Sequence, residues 1–261
     1  MKSNLSIKTA FVIVLTSLLA AFFSGSIILG IGLSNPESNQ QHYTFISFII
    51  GQTFMLIPLI WFLQRKKESF VKRLRLNKIT KNELVSTVLL SIGIIIISDE
   101  FDRIVQIFVP APEYILDLNG LLSPETFFGF ILLFTAVSVV APLGEEFLFR
   151  GFFQQILEDH WKDVTHAVLV TALFFSVIHM NPYWFIQIYA LGIILGFLAW
   201  KTNSVIPALI LHSLNNTIAL LFSVTSIEDN GFYILNGHVS PLFLIVAFVT
   251  LFFGFKGINR T

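Results

Sequence analysis

The chain predicts an all-α fold: a polytopic bundle of about eight transmembrane helices with both termini cytoplasmic. Three observations carry that prediction. The 261 residues are 55% hydrophobic and only 12% charged, with a mean hydropathy of +0.80. A soluble domain has about 25% charged residues. Apolar runs near the roughly 20 residues needed for a span recur along the whole chain. The basic residues fall on alternate connections between those runs.

In order, the apolar segments are Thr9–Leu33, Tyr43–Leu63, Leu84–Ser98, Phe127–Leu157, Val164–His179, Trp184–Trp200, Val205–Ser223 and Pro241–Phe255. The first has the basic start and small-residue stretch (Ser24-Gly25-Ser26) of a signal peptide. Its apolar character resumes through Leu33, however, beyond an h-region of about 7–15 residues, so an uncleaved helix is expected. With the N-terminus inside, Lys2, Lys8, the cluster from Arg65 to Lys81, Lys162, Lys201, Lys256 and Arg260 are all cytoplasmic. Only Arg103 falls in an outer connection, and Arg150 lies within a span. The outer connections instead hold Glu37, Asp99, Glu100, Asp102, Glu113, Asp117, Glu228 and Asp229. This asymmetry is the positive-inside pattern, and the compact chain suits a bacterial inner membrane.

Gln64–Lys81 mixes basic residues with Phe70, Val71, Leu74 and Leu76, and reads either as an interfacial helix on anionic lipid or as a plain cytoplasmic connector. Asp99–Phe108 reads as a second interfacial stretch on the outer side, its acids solvated. No internal repeat of 20–50 residues is visible, so residues 1–261 form one domain; paired broken helices of a transporter have no support either. Sixteen basic and sixteen acidic residues give zero net charge, which argues against nucleic acid as a partner. The absence of Cys excludes disulfides, thiolate catalysis and Cys-metal sites.

Chemistry concentrates in Ala141-Pro142-Leu143-Gly144-Glu145-Glu146-Phe147-Leu148-Phe149-Arg150-Gly151. A charge at membrane depth costs roughly 2.5–3.5 kcal/mol on insertion scales, and such a residue marks function. Glu146 and Arg150 lie four apart, about 40° around a helix, and can pair as a structural ion pair. Glu145 is rotated about 100° from Glu146 and about 140° from Arg150, so it stays free to react. Pro142 and Gly144 are expected to kink or open an otherwise over-long helix and admit water. Counting from the charged turn Glu158–Asp163, Glu145 lies roughly 21 Å deep and His179 roughly 24 Å; His212 lies roughly 16 Å from Lys201. The three side chains are thus expected in one layer, in a cavity open to the cytoplasm. Asn216 follows His212 by four, on the same face. Gly192 and Gly196 form a small-xxx-small pair for close helix packing.

Glu145-Glu146-xxx-Arg150, Phe175-xxx-His179 and His212-xxx-Asn216, in that order on successive apolar segments, resemble the CPBP intramembrane proteases, the CAAX-prenyl-endopeptidase and bacteriocin-processing (Abi) family. The resemblance covers about 127–222, the catalytic core; the first three helices carry no such signal. It implies a glutamate-dependent endopeptidase. Glu145 and His179 would activate water, His212 and Asn216 would form the oxyanion hole, and Glu146 with Arg150 would hold the site together. The substrate would be a membrane-associated peptide or lipidated protein, although no residue here indicates a prenylated partner. No cofactor is expected. The family has also been described as metalloproteases, and a zinc-dependent version would use Glu145, His179 and His212. The compact helical H-E-x-x-H arrangement is absent, and Asn216 is a poor zinc ligand but a good donor. The alternative from another class is a non-catalytic scaffold or bacteriocin-immunity factor that regulates a partner.

Overall fold

The structure, a computed structural model, describes residues 5–35, 37–115, 122–225 and 231–260. Of the charges used for the topology, Lys2, Asp117, Glu228 and Asp229 lie outside the described residues. The helices are α1 (Ile7–Leu33), α2 (Gln40–Arg65), α3 (Phe70–Arg73), α4 (Lys81–Phe108), α5 (the composite 127–161), α6 (Val164–Ile178), α7 (Phe185–Lys201), α8 (Val205–Val224) and α9 (Pro241–Asn259). A two-stranded antiparallel hairpin, β1 (Ile234–Leu235) and β2 (His238–Val239), precedes α9. Small polar side chains start most of the long helices. Ser6, Asn39, Thr126, Asp163 and Ser204 each accept a backbone N–H of the first turn, and Thr80 forms a capping box with Glu83.

Among the described residues, six helices are long and apolar enough to cross a membrane: α1, α2, α4, α5, α8 and α9. The chain is an integral membrane protein. The other two expected segments are apolar but short, at 15 residues for α6 and 17 for α7. They run about 22–26 Å against a hydrocarbon core of about 30 Å. They pack on each other as a hairpin, just as α1 packs along α2 and α4 along α9. Asp99–Phe108, expected as an interfacial stretch, is helical and continues α4 without a break to Phe108. Two i,i+4 contacts support that last part: Arg103 with Asp99 at 3.2 Å and Gln106 with Asp102 at 2.6 Å.

α5 is where the fold departs from regularity. Its 35 residues alternate between α geometry (Phe127–Phe134, Ala141–Glu146, Gln154–Trp161) and π geometry (Thr135–Val140, Phe147–Phe153). The expected opening around Pro142 and Gly144 takes this form, widened turns on both sides of the acids rather than one sharp bend.

The connector between α2 and α4 also resolves. After the short α3 it becomes a strap docked on protein, with Leu74 and Arg75 both buried. The Arg75 guanidinium forms a two-pronged ion pair with Glu158 of α5. Its carbonyl accepts Val205 N–H at 2.9 Å, and Asn77 O accepts the Ser204 hydroxyl at 2.7 Å. The strap can lie this close because residue 151 is glycine. A Cβ there would sit 3.0 Å from both Leu74 Cα and Leu74 O, which are backbone atoms and cannot swing aside. Gly151→Val is therefore expected to push the strap off α5 and destabilise the protein by about 1–3 kcal/mol, read as a lowered Tm in detergent. An unchanged Tm would show that the strap contributes nothing to stability.

Candidate active site

α5 delivers Glu145, Glu146 and Arg150, α6 ends in His179, and α8 supplies His212 and Asn216. Burial is extreme for such residues: Glu146 and Arg150 are 0% exposed, His212 3% and Glu145 7%. The expected ion pair is present, with Arg150 Nη1 3.0 Å from Glu146 Oε1. The guanidinium also donates through Nη2 to Gly192 O at 3.2 Å, and its Cζ stands 4.0 Å from the centroid of the Phe175 ring. Gly192 makes this possible, since a Cβ there would be 3.1 Å from Ala172 Cβ and 3.4 Å from Arg150 Nη2. The small-residue pair on α7 thus opens two helix carbonyls to α5. Arg150 takes Gly192 O, and Gln154 donates to Gly196 O at 2.9 Å.

His212 joins the two acids, a link the sequence reading did not contain. Its Nδ1 lies 2.8 Å from Glu146 Oε1, which places the Nδ1 proton on that carboxylate, and its Nε2 faces Glu145 Oε2 at 3.8 Å. The second distance is too long for a hydrogen bond but suits one water contacting both groups. Glu145 has one direct donor, Gln52 of α2, whose Nε2 lies 3.2 Å from Oε1. Glu146 thus takes two donors on one oxygen, whereas Glu145 Oε2 has no direct hydrogen bond among the described residues. The division between the two acids follows the angular argument from the sequence.

His179 and Asn216 sit at the margin. His179 caps α6, is exposed, and has Nδ1 2.6 Å from Phe175 O; Nε2 is left to accept. Among the described residues it has no hydrogen bond to Glu145. Its link to the centre is the Phe175 ring, which meets the His179 ring at 4.7 Å and the His212 ring at 5.7 Å. No three His, Asp or Glu side chains converge as a metal-ligand set among the described residues, so Glu145, His179 and His212 do not fit a zinc site in this arrangement.

Asn216 has an employment the sequence did not suggest. In the π segment, Ala141 N–H donates to Ala136 O, five residues back. The next bond in that register would run from residue 142 to Val137 O, but residue 142 is proline and has no N–H. Asn216 Nδ2 donates to Val137 O at 2.9 Å and stands in for it. An amide nitrogen has two hydrogens, so one remains for another acceptor.

On the α5 turns between the acids and Lys162, Leu148, Phe149, Phe152 and Phe153 are buried, and Glu158 pairs with Arg75 of the strap. The exposed member of the set is His179, at the opposite end of α6. Two apolar lateral grooves, one between α1, α5 and α6 and one between α4, α7 and α9, hold none of the site residues.

Residues 127–218 match the model of a protein family described as Type II CAAX prenyl endopeptidase Rce1-like. That stretch is Rce1-like. It begins with α5 and ends within α8, so it holds all six residues expected from the motifs. The resemblance drawn from those motifs is borne out, and at family level the match is to membrane-embedded proteases. No curated protein and no solved structure matches the chain. Gln52 lies outside the Rce1-like stretch. The signal that marks it is an amide in the middle of an otherwise apolar span, GQTF between Ile50 and Met55.

Two outcomes are expected. Arg150→Ala strands Glu146 without its cation in a dry interior and destabilises by about 3–5 kcal/mol, visible as low yield and a lowered Tm. Asn216→Leu leaves Val137 O unpaired and lowers stability by about 1–3 kcal/mol. Adding Pro142→Ala restores a backbone N–H in register, so the double variant recovers much of the loss. Strict additivity of the two changes in a thermal double-mutant cycle would refute the substitution of side chain for backbone.

Proposed function

We propose that the protein is an intramembrane endopeptidase that hydrolyses a peptide bond in a membrane-associated peptide or lipidated protein. The observation that carries this reading is the unequal pair of buried glutamates joined by His212 within the Rce1-like stretch. Glu145 acts as general base through Oε2. It takes a proton from a water as the water oxygen attacks the scissile carbonyl, and the proton is passed on to the departing amine. His212 holds its face of the site by its bond to Glu146 and presents Nε2 to the same space. His179, with Nε2 as an acceptor, meets the water or substrate from the open margin. The second hydrogen of the Asn216 amide serves the developing oxyanion, as does His212 Nε2 once the ring carries a proton on both nitrogens, a type of contact worth about 3–4 kcal/mol per donor in known cases. Glu146 and Arg150 keep the two helices in register and do not touch substrate.

The prenylated CAAX substrate named in the family description is a candidate here, and a non-prenylated membrane peptide is the other. No step is routed through a metal, because the three residues that would hold one do not converge. By charge bias the turns carrying Arg75, Lys162 and Lys201 face the cytoplasm.

The test compares peptide termini in membrane fractions of cells expressing wild type or Glu145→Gln at equal levels. New termini are expected with wild type alone, and they identify the substrate as well. Equal termini in both, with the variant still supporting whatever phenotype deletion removes, would favour a non-catalytic scaffold. Cleavage that chelators abolish and zinc restores would overturn the metal-free mechanism.

A further inference from the structure

Gln52 touches the acid to which the proposed function gives the chemistry, yet it belongs to a helix outside the Rce1-like stretch. The approach that brings it there is built in. Residue 144, next to Glu145, is glycine. A Cβ at that position would lie 2.7 Å from Met55 Cε and 3.2 Å from Gln52 O, so a larger residue would need Met55 to swing aside and the α2 backbone to give way at Gln52. With glycine, the backbones of α2 and α5 meet at the level of Glu145.

Chemistry then fixes the direction of the amide. A carboxylate only accepts, so the Gln52 group facing Glu145 Oε1 at 3.2 Å is the NH2, and the amide oxygen turns away. Glu145 therefore has one oxygen held by a neutral donor on α2. The other, Oε2, is aimed at the space beside His212 Nε2. A side chain with three rotatable bonds and a free carboxylate would otherwise sample several orientations in that space. A fixed carboxylate keeps its lone pair on the reacting water.

We infer that Gln52 is a positioning residue for Glu145: its amide clamps Oε1 and thereby presents Oε2 to the water. This rests on the reading of Glu145 as the base. The clamp uses a neutral donor, so it orients the carboxylate without pairing its charge as Arg150 pairs Glu146.

The experiment uses the full-length protein and the variants Gln52→Met, which keeps length and loses the donor, and Gln52→Asn, which keeps the amide one carbon short. Two readouts are taken. The first is the infrared carboxylate band of Glu145, assigned by its loss in Glu145→Gln. The second is the rate at which the termini that depend on Glu145 appear in membranes after induction. With Gln52→Met the band is expected to shift, cleavage to fall on the order of 10- to 100-fold, and the Tm to stay near that of wild type. Gln52→Asn is expected to behave in the same way, because a shortened amide does not reach Oε1. An unmoved band overturns the contact, and a moved band with undiminished cleavage overturns the positioning role. If Glu145→Gln itself cleaves like wild type, the proposed function fails instead, and the band still reports on the contact between Gln52 and Glu145.

Discussion

A guanidinium with no solvent exposure governs the centre of this molecule. Arg150 cannot shed its charge, so every neighbour must supply a carboxylate, a carbonyl or a π face. Glu146 and Gly192 O meet the two terminal nitrogens and the Phe175 ring faces the guanidinium carbon, while Nε has no hydrogen-bond partner among the described residues. Each of these fixes a further piece of structure. Gly192 lets α7 approach α5 and α6 closely enough to offer its carbonyl. Phe175, held under the cation, orders the rings of His179 and His212 around itself. Glu146, neutralised on one side, directs the proton of His212 Nδ1. Buried ion pairs often add little net stability compared with apolar packing, and their clearest use is to specify one arrangement among several. Here that arrangement sets α5, α6, α7 and α8 in register around Glu145.

Pro142 imposes a second constraint on the same helices. By removing one N–H it ends the π series begun at Thr135 and leaves Val137 O in need of a donor. Asn216 fills that need, while His212, four residues earlier on α8, reaches Glu146 on the far side of the proline. The two polar residues of α8 therefore grip α5 on both sides of its irregular turn. This explains why an Asn at this position serves structure whether or not it also meets an oxyanion. A residue that satisfies the backbone with one amide hydrogen is held rigid, and rigidity is what an oxyanion donor requires.

The spans were legible in the sequence because burial in lipid needs only length and apolar composition, and both are written locally. The starts and ends of α2, α5, α7 and α8 fall within a few residues of the apolar runs. The Glu146–Arg150 pair was legible for a similar reason, since four residues along a helix is a local distance. Contacts between helices were not. The bond from His212 to Glu146 spans 66 residues and that from Gln52 to Glu145 spans 93, and no periodicity encodes such pairings. The strap was ambiguous because Arg75 and Leu74 carry the composition of an interfacial segment. What removes them from the lipid surface is Glu158 and the bare backbone at Gly151, both distant in sequence. α4 runs further than expected because its polar end is stitched by i,i+4 contacts that hydropathy ignores.

The Rce1-like stretch is bounded at residues 127 and 218, yet the structure does not end its working parts there. Two of its glycines, Gly144 and Gly151, are faced by chain from outside it: Gln52 and Met55 of α2 against the first, and Leu74 of the strap against the second. The first contact brings a donor to Glu145, and the second seats the strap on α5. A glycine that serves a close approach is complementary to whatever approaches it, so these two positions inside the motif region imply a partner surface of definite shape. α2 and the strap provide that surface. The chemistry-bearing motifs therefore depend on segments without motifs of their own, and Glu145 is as much a product of α2 as of α5.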